Sequence, residues 1–189
     1  PFLSERFTGL TGAATARGYI VAHVASVPLG LRALEEMATI PAQITDIWCI
    51  DESRVYYTGH SDGGTVSNAL AVLEVELPGP TAIAPSAMGM RGEDMSTYAC
   101  PAPIPVMLMH NEGDGHFPGF GEEVAEWWAR CNRCGPPVAS AEHAACIEYV
   151  DCAASAKTLF CQAKGNHAYW PGLEHDVLGF FDKLSEARP

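Results

Sequence analysis

The sequence predicts an α/β domain whose sheet is mostly parallel and flanked by helices, and three observations predict it. Short apolar runs without alternation recur, as at Val106-Met107-Leu108-Met109-His110, which suits strands buried on both faces. Stretches with helical apolar spacing separate these runs. Proline and glycine clusters such as Pro78-Gly79-Pro80 and Pro136-Pro137 mark the boundaries between them. At 189 residues, without repeats, low-complexity stretches or a linker, the chain reads as one domain over 1–189.

The elements follow in order. Residues 1–16 have near-helical apolar spacing, weakened by Gly9 and Gly12. The continuous apolar run 19–25 is of strand length, and Pro28 and Gly30 end it. A helix is predicted over 31–40, interrupted by Pro41 and resumed toward Trp48. Residues 54–58 are β-branched and aromatic, a strand, and 66–77 form a helix that Pro78 stops. Strands follow at 81–87 and 106–110, with a loop rich in Gly and Met between them. Residues 121–130 form a helix carrying Val124, Trp127 and Trp128; strands at 146–150 and 156–163 precede a closing amphipathic helix at 173–184.

Composition removes several classes of function. Hydrophobic residues make up 48% and charged residues 18%, ordinary for a globular domain. A net charge of −12, without a basic run, argues against a nucleic-acid or anionic membrane partner. No apolar run of about eighteen residues is present to span a bilayer. Of seven cysteines, five fall between Cys131 and Cys161. They read either as a disulfide framework or, through Cys131-x-x-Cys134, as a metal site. Without a second such pair the disulfide reading is preferred, so an oxidising compartment is expected and neither metal nor cofactor is. A leader removed ahead of Pro1 fits that expectation.

The chemistry centres on Gly59-His60-Ser61-Asp62-Gly63-Gly64. A strand before it and a helix after it make Gly-x-Ser-x-Gly a sharp turn with the serine at its apex, tight at Gly59 and Gly63. A serine hydroxyl becomes a nucleophile when a histidine takes its proton and an acid orients that histidine. Ser61, Asp114 and His167 each follow a predicted strand, and in parallel sheets the carboxyl ends of strands converge. Glu112 and Asp94 are the rival acids, and His175 is the rival base. The alternative readings are an Asx-turn or a helix cap for Asp114 and a solvated loop histidine for His167. His23, His60, His110, His116 and His143 read as structural or solvated, His60 also standing beside the nucleophile, where it can meet substrate.

Four stretches in one order carry a resemblance: Gly18-Tyr19-Ile20-Val21, Arg54 through Gly64, Met107-Leu108-Met109-His110 through Asp114, and Gly165-Asn166-His167-Ala168-Tyr169-Trp170-Pro171-Gly172. Together they resemble the secreted polyhydroxybutyrate-depolymerase and feruloyl-esterase group of α/β-hydrolases. The resemblance implies an α/β-hydrolase fold and a secreted carboxylic ester hydrolase with Ser61 as nucleophile, His167 as base and Asp114 as acid. The backbone N–H of Asp62 would serve the oxyanion hole, and Trp170 and Tyr169 would wall the substrate. The implied substrates are polyesters or hydroxycinnamoyl esters. A peptidase or thioesterase on the same triad, or a non-catalytic domain, is the alternative. Oligomeric state is left open.

The resemblance also implies a Cys134–Cys152 bridge. Cys146–Cys161 is expected from two neighbouring strands in a hairpin, and Cys49 with Cys100, leaving Cys131 free. The chain departs from the pattern in several places. Asn111 and Asn166 stand where glycines are usual, Tyr169 is an extra residue, and Asp62 places a carboxylate after the nucleophile. The fold's first strands, with the loop supplying a second oxyanion donor, are expected ahead of Pro1, which makes the domain N-terminally short.

Overall fold

A computed structural model describes residues 2–25, 27–73 and 79–186. In chain order the elements are α1 (Phe2–Thr8), α2 (Leu10–Thr15), α3 (Leu31–Ala38), α4 (Ile40–Thr45), β1 (Tyr56–His60), α5 (Asp62–Val72), β2 (Ala82–Ser86) and α6 (Gly92–Met95). There follow β3 (Val106–Asn111), α7 (Phe120–Cys131), β4 (Pro137–Ala139), β5 (Cys146–Tyr149), β6 (Thr158–Ala163) and α8 (Glu174–Glu186).

The described strands form one sheet in the order β1-β2-β3-β6-β5-β4. β1, β2, β3 and β6 run parallel, while β5 and β4 add an antiparallel hairpin at one edge. Side chains alternate across it. Met107, Met109, Leu159 and Cys161 pack with Val177 and Phe181 of α8; Val106, Leu108 and Phe160 pack with Val124 and Trp128 of α7. Helices thus cover both faces, which is why β2 and β3 are fully buried and apolar up to the polar residues Ser86, His110 and Asn111 at their carboxyl ends. Helix α8 is tied down by Asp182, which accepts hydrogen bonds from Arg17 at 2.7 Å and Tyr19 at 2.7 Å.

Several expectations are corrected. The run 19–25 has no regular structure. Tyr19 and Val21 face the α8-side core, while Ile20 and Val24 are exposed. The segment is held through side chains, such as Arg54 Nη2 donating to the Tyr19 hydroxyl at 3.3 Å, rather than by a backbone ladder. The strand expected from Arg54 begins at Tyr56, because Glu52–Arg54 form a 3₁₀ turn capped by Asp51. The first helix breaks at Gly9, which takes the left-handed φ of 65°. The end of the helix expected over 66–77, from 74 onward, lies outside the described residues. The boundary expected at Pro136-Pro137 gives way at once to the short strand β4, because an edge strand tolerates Pro137.

Disulfides join Cys100 to Cys131, Cys134 to Cys152 and Cys146 to Cys161. The last pair sits in register across β5 and β6. Cys100 joins Cys131, the last residue of α7, at a Cα–Cα distance of 5.1 Å rather than Cys49; Cys49 is free and exposed.

Candidate functional site

Three parallel strands deliver the site residues to one end of the sheet. Ser61 follows β1, Asp114 lies beyond the end of β3, and His167 lies beyond the end of β6. Ser61 itself adopts φ 54° and ψ −116°, a strained geometry for a non-glycine residue. Two contacts fix the turn: the Ser61 N–H donates to the Ser86 carbonyl at 3.0 Å, and Thr65 N–H returns to the Ser61 carbonyl at 2.9 Å. A Cβ at Gly59 would fall 2.5 Å from Gly63 C, and one at Gly64 would fall 2.3 Å from Ser86 O. Gly63 itself has open space around its Cα, so the tight positions are Gly59 and Gly64 rather than Gly59 and Gly63.

Ser61 Oγ lies 2.9 Å from His167 Nε2, and His167 Nδ1 lies 2.8 Å from Asp114 Oδ2. A carboxylate only accepts, so His167 carries its proton on Nδ1 and turns the Nε2 lone pair toward the serine hydroxyl. Asp114 Oδ1 accepts the N–H groups of His116 at 2.9 Å and Phe117 at 3.1 Å. Burial pushes the Asp114 carboxyl up, but donation from His167, Phe117 and His116 outweighs it and holds the group below the usual carboxylate range. The arrangement can lift a proton from Ser61 and keep the resulting imidazolium paired.

Other expected residues fall as follows. Glu112 is exposed, Asp94 is spent on the Arg91 N–H at 3.0 Å, and His175 is exposed on α8; none meets Ser61. Asp62 opens α5, where the first N–H groups of a helix lack intrahelical acceptors. Tyr169 is 62% exposed near His167, whereas Trp170 turns inward against the α8-side core. His60, expected to meet substrate, has both ring nitrogens engaged inside the protein, by Ser86 Oγ at 3.0 Å and the His167 carbonyl at 2.8 Å.

Three residues stand closer to the centre than sequence spacing suggests. The His116 ring stacks on His167 at 4.9 Å, and Phe117 meets it edge-on at 5.0 Å. Their place just after Asp114 is the signal that finds them. His110 is buried with neither ring nitrogen hydrogen-bonded, and its Nε2 is 3.5 Å from Asp114 Oδ2. Burial pushes the pKa of His110 down, and that of His60 likewise. Among the described residues no His, Cys, Asp and Glu cluster is arranged to hold a metal ion, and Cys131 and Cys134 are both in disulfides.

No family profile matches the chain, and no curated protein matches it. Solved structures do. An acetyl xylan esterase from Aspergillus awamori superposes with a TM-score of 0.56 at 14% identity, covering 79% of this chain and 66% of its own. SOBER1 of Arabidopsis thaliana gives a TM-score of 0.52 at 15% identity, with 82% and 66% covered. A variant of SOBER1 gives 0.50 at 13%, with 82% and 67% covered. The chain has the α/β-hydrolase fold. It spans about two thirds of the length of these structures. Ser61 occupies the turn between β1 and α5 in this fold.

Proposed function

We propose that this protein is a carboxylic ester hydrolase working through Ser61, His167 and Asp114. The observation that carries the reading is the unbroken relay from Ser61 Oγ to His167 at 2.9 Å and on to Asp114 at 2.8 Å, mounted on a strained turn. The acetyl xylan esterase among the structural neighbours is consistent with ester chemistry on this fold.

In the reaction Ser61 Oγ attacks the ester carbonyl carbon while His167 Nε2 takes the hydroxyl proton. The oxyanion is met by the Asp62 N–H at the start of α5, where the helix dipole also favours negative charge. Collapse breaks the C–O bond, and His167 returns its proton to the departing alkoxide. Water then attacks the acyl-serine, again deprotonated by His167, and the acid leaves with Ser61 restored. Asp114 keeps its charge throughout and pairs with the imidazolium.

For substrates we favour polyesters or hydroxycinnamoyl esters, on the resemblance of the nucleophile, acid and base segments. Exposed Tyr169 and half-buried Phe117 offer aromatic surface beside the base for such an acyl group. Export to an oxidising compartment is part of the same reading, supported by the disulfides Cys100–Cys131, Cys134–Cys152 and Cys146–Cys161. The test is hydrolysis of p-nitrophenyl butyrate, ethyl ferulate and a polyhydroxybutyrate film. Turnover of the first establishes the ester reading, and the other two rank the substrate classes. No release above buffer from any of them ends the proposal.

A further inference from the structure

The loop carrying His167 poses a problem that the triad alone does not answer. Gly165, Asn166, Ala168 and Tyr169 are all exposed, so between β6 and the inward-turned Trp170 the loop backbone itself is not held by apolar burial. The loop's carbonyl oxygens are captured instead. Gly113 N–H donates to Gly165 O at 2.9 Å. Asn111 Nδ2 donates to Asn166 O at 2.9 Å and to Tyr169 O at 2.8 Å, one on each side of the base. His60 Nε2 meets the carbonyl of His167 itself at 2.8 Å.

The chemistry of these contacts fixes the donors. Carbonyl oxygens only accept, so Asn111 must turn its NH₂ to the loop and His60 must carry its proton on Nε2. The Nδ1 of His60 is then an acceptor, and Ser86, fully buried, donates its hydroxyl to it at 3.0 Å. Both side chains come from the machinery's own frame. His60 precedes the nucleophile at the end of β1, and Asn111 ends β3 ahead of the acid. Asn111 is 1% exposed, so its amide is shielded from competing water.

Resting on the triad reading, we propose that Asn111 and His60, the latter set by Ser86, are positioning residues that register the His167 loop against Ser61 and Asp114. Each ties the base to the strand end that carries one of its partners. A base displaced by about 1 Å costs on the order of a hundredfold in rate, and these donors are what prevent that displacement.

The test uses Asn111→Asp, Asn111→Gly, His60→Phe and His60→Gln. Asn111→Asp keeps the shape but points a carboxylate at two carbonyls; Asn111→Gly serves if that variant does not fold. Two quantities are read: ester hydrolysis, and the low-field NMR signal of the His167 Nδ1 proton shared with Asp114. Asn111→Asp and His60→Phe are expected to lower kcat by about tenfold to a hundredfold with KM within about twofold, and to broaden the low-field signal. His60→Gln, which retains an N–H donor, recovers most of the rate lost in His60→Phe. Wild-type linewidths in both Asn111→Asp and His60→Phe overturn the proposal. The signal is read on folded protein regardless of turnover. A wild type with a sharp signal and no hydrolysis therefore removes the esterase reading alone.

Discussion

Asp114→Asn is the most demanding single change that the site allows. The two oxygens of Asp114 have different partners: Oδ1 accepts two backbone N–H groups at 2.9 and 3.1 Å, and Oδ2 accepts His167 at 2.8 Å. An asparagine must choose. Leaving a part-buried backbone donor unmet costs about 1–3 kcal/mol, and two are at stake, so turning the amide over costs about 2 kcal/mol at the least. The amide oxygen therefore stays with His116 and Phe117, and the NH₂ faces His167. The imidazole escapes the N–H to N–H clash by moving its proton to Nε2, the nitrogen that must take the serine proton. A fold that is intact then holds the wrong tautomer, and the equivalent change in a serine protease lowers kcat about 10⁴-fold, or about 5 kcal/mol. The assay is kcat for p-nitrophenyl butyrate, with circular dichroism confirming the fold. A variant within about tenfold of wild type refutes the tautomer argument.

Further outcomes follow from the same geometry. Burial depresses the pKa of His110 and His60, so their contribution to stability is present above about pH 6.5 and is lost as pH falls below it. Thermal unfolding from about pH 7.5 to 5.5 should therefore show a falling Tm, with a shallower fall in His110→Phe; equal slopes contradict it. The Asp114 carboxylate acts at lower pH: its depressed pKa stabilises the fold above about pH 4, and that support disappears as acid protonates it. Gly64→Ala places a Cβ 2.3 Å from the Ser86 carbonyl, so denaturant unfolding should register a loss of about 3 kcal/mol or more; a neutral variant is inconsistent with the turn. Non-reducing peptide mapping should recover Cys100 joined to Cys131, with Cys49 alone alkylated. Replacing both Cys100 and Cys131 by serine should cost about 3–4 kcal/mol, given the 31-residue separation they close.

Much of this was readable because it rests on local pattern. The apolar strands β2, β3 and β6 and the amphipathic α7 and α8 lie within a few residues of their predicted spans, since each is buried as its periodicity says. Ser61, Asp114 and His167 each follow a strand that the sequence predicts as parallel, and the structure brings their side chains within hydrogen-bond distance of one another. What the sequence obscured depends on partners distant along the chain. The run 19–25 has strand composition but no ladder, and composition does not reveal whether a neighbour exists. Cys49 and Cys131 look equally available to Cys100 until the fold sets the end of α7 beside it. Asn111 and Tyr169 read as two separate departures, yet the amide of one holds the carbonyl of the other at 2.8 Å. The tight positions of the turn between β1 and α5, Gly59 and Gly64, are set by what faces them: the Gly63 backbone and the Ser86 carbonyl.

The central claim is that Ser61 is an activated nucleophile. Intact-mass and peptide mass spectrometry after treatment with a fluorophosphonate test it without assuming any substrate. One adduct is expected, located on Ser61, absent in Ser61→Ala and formed far more slowly in Asp114→Asn. An unmodified protein, or an adduct on any other residue, contradicts it.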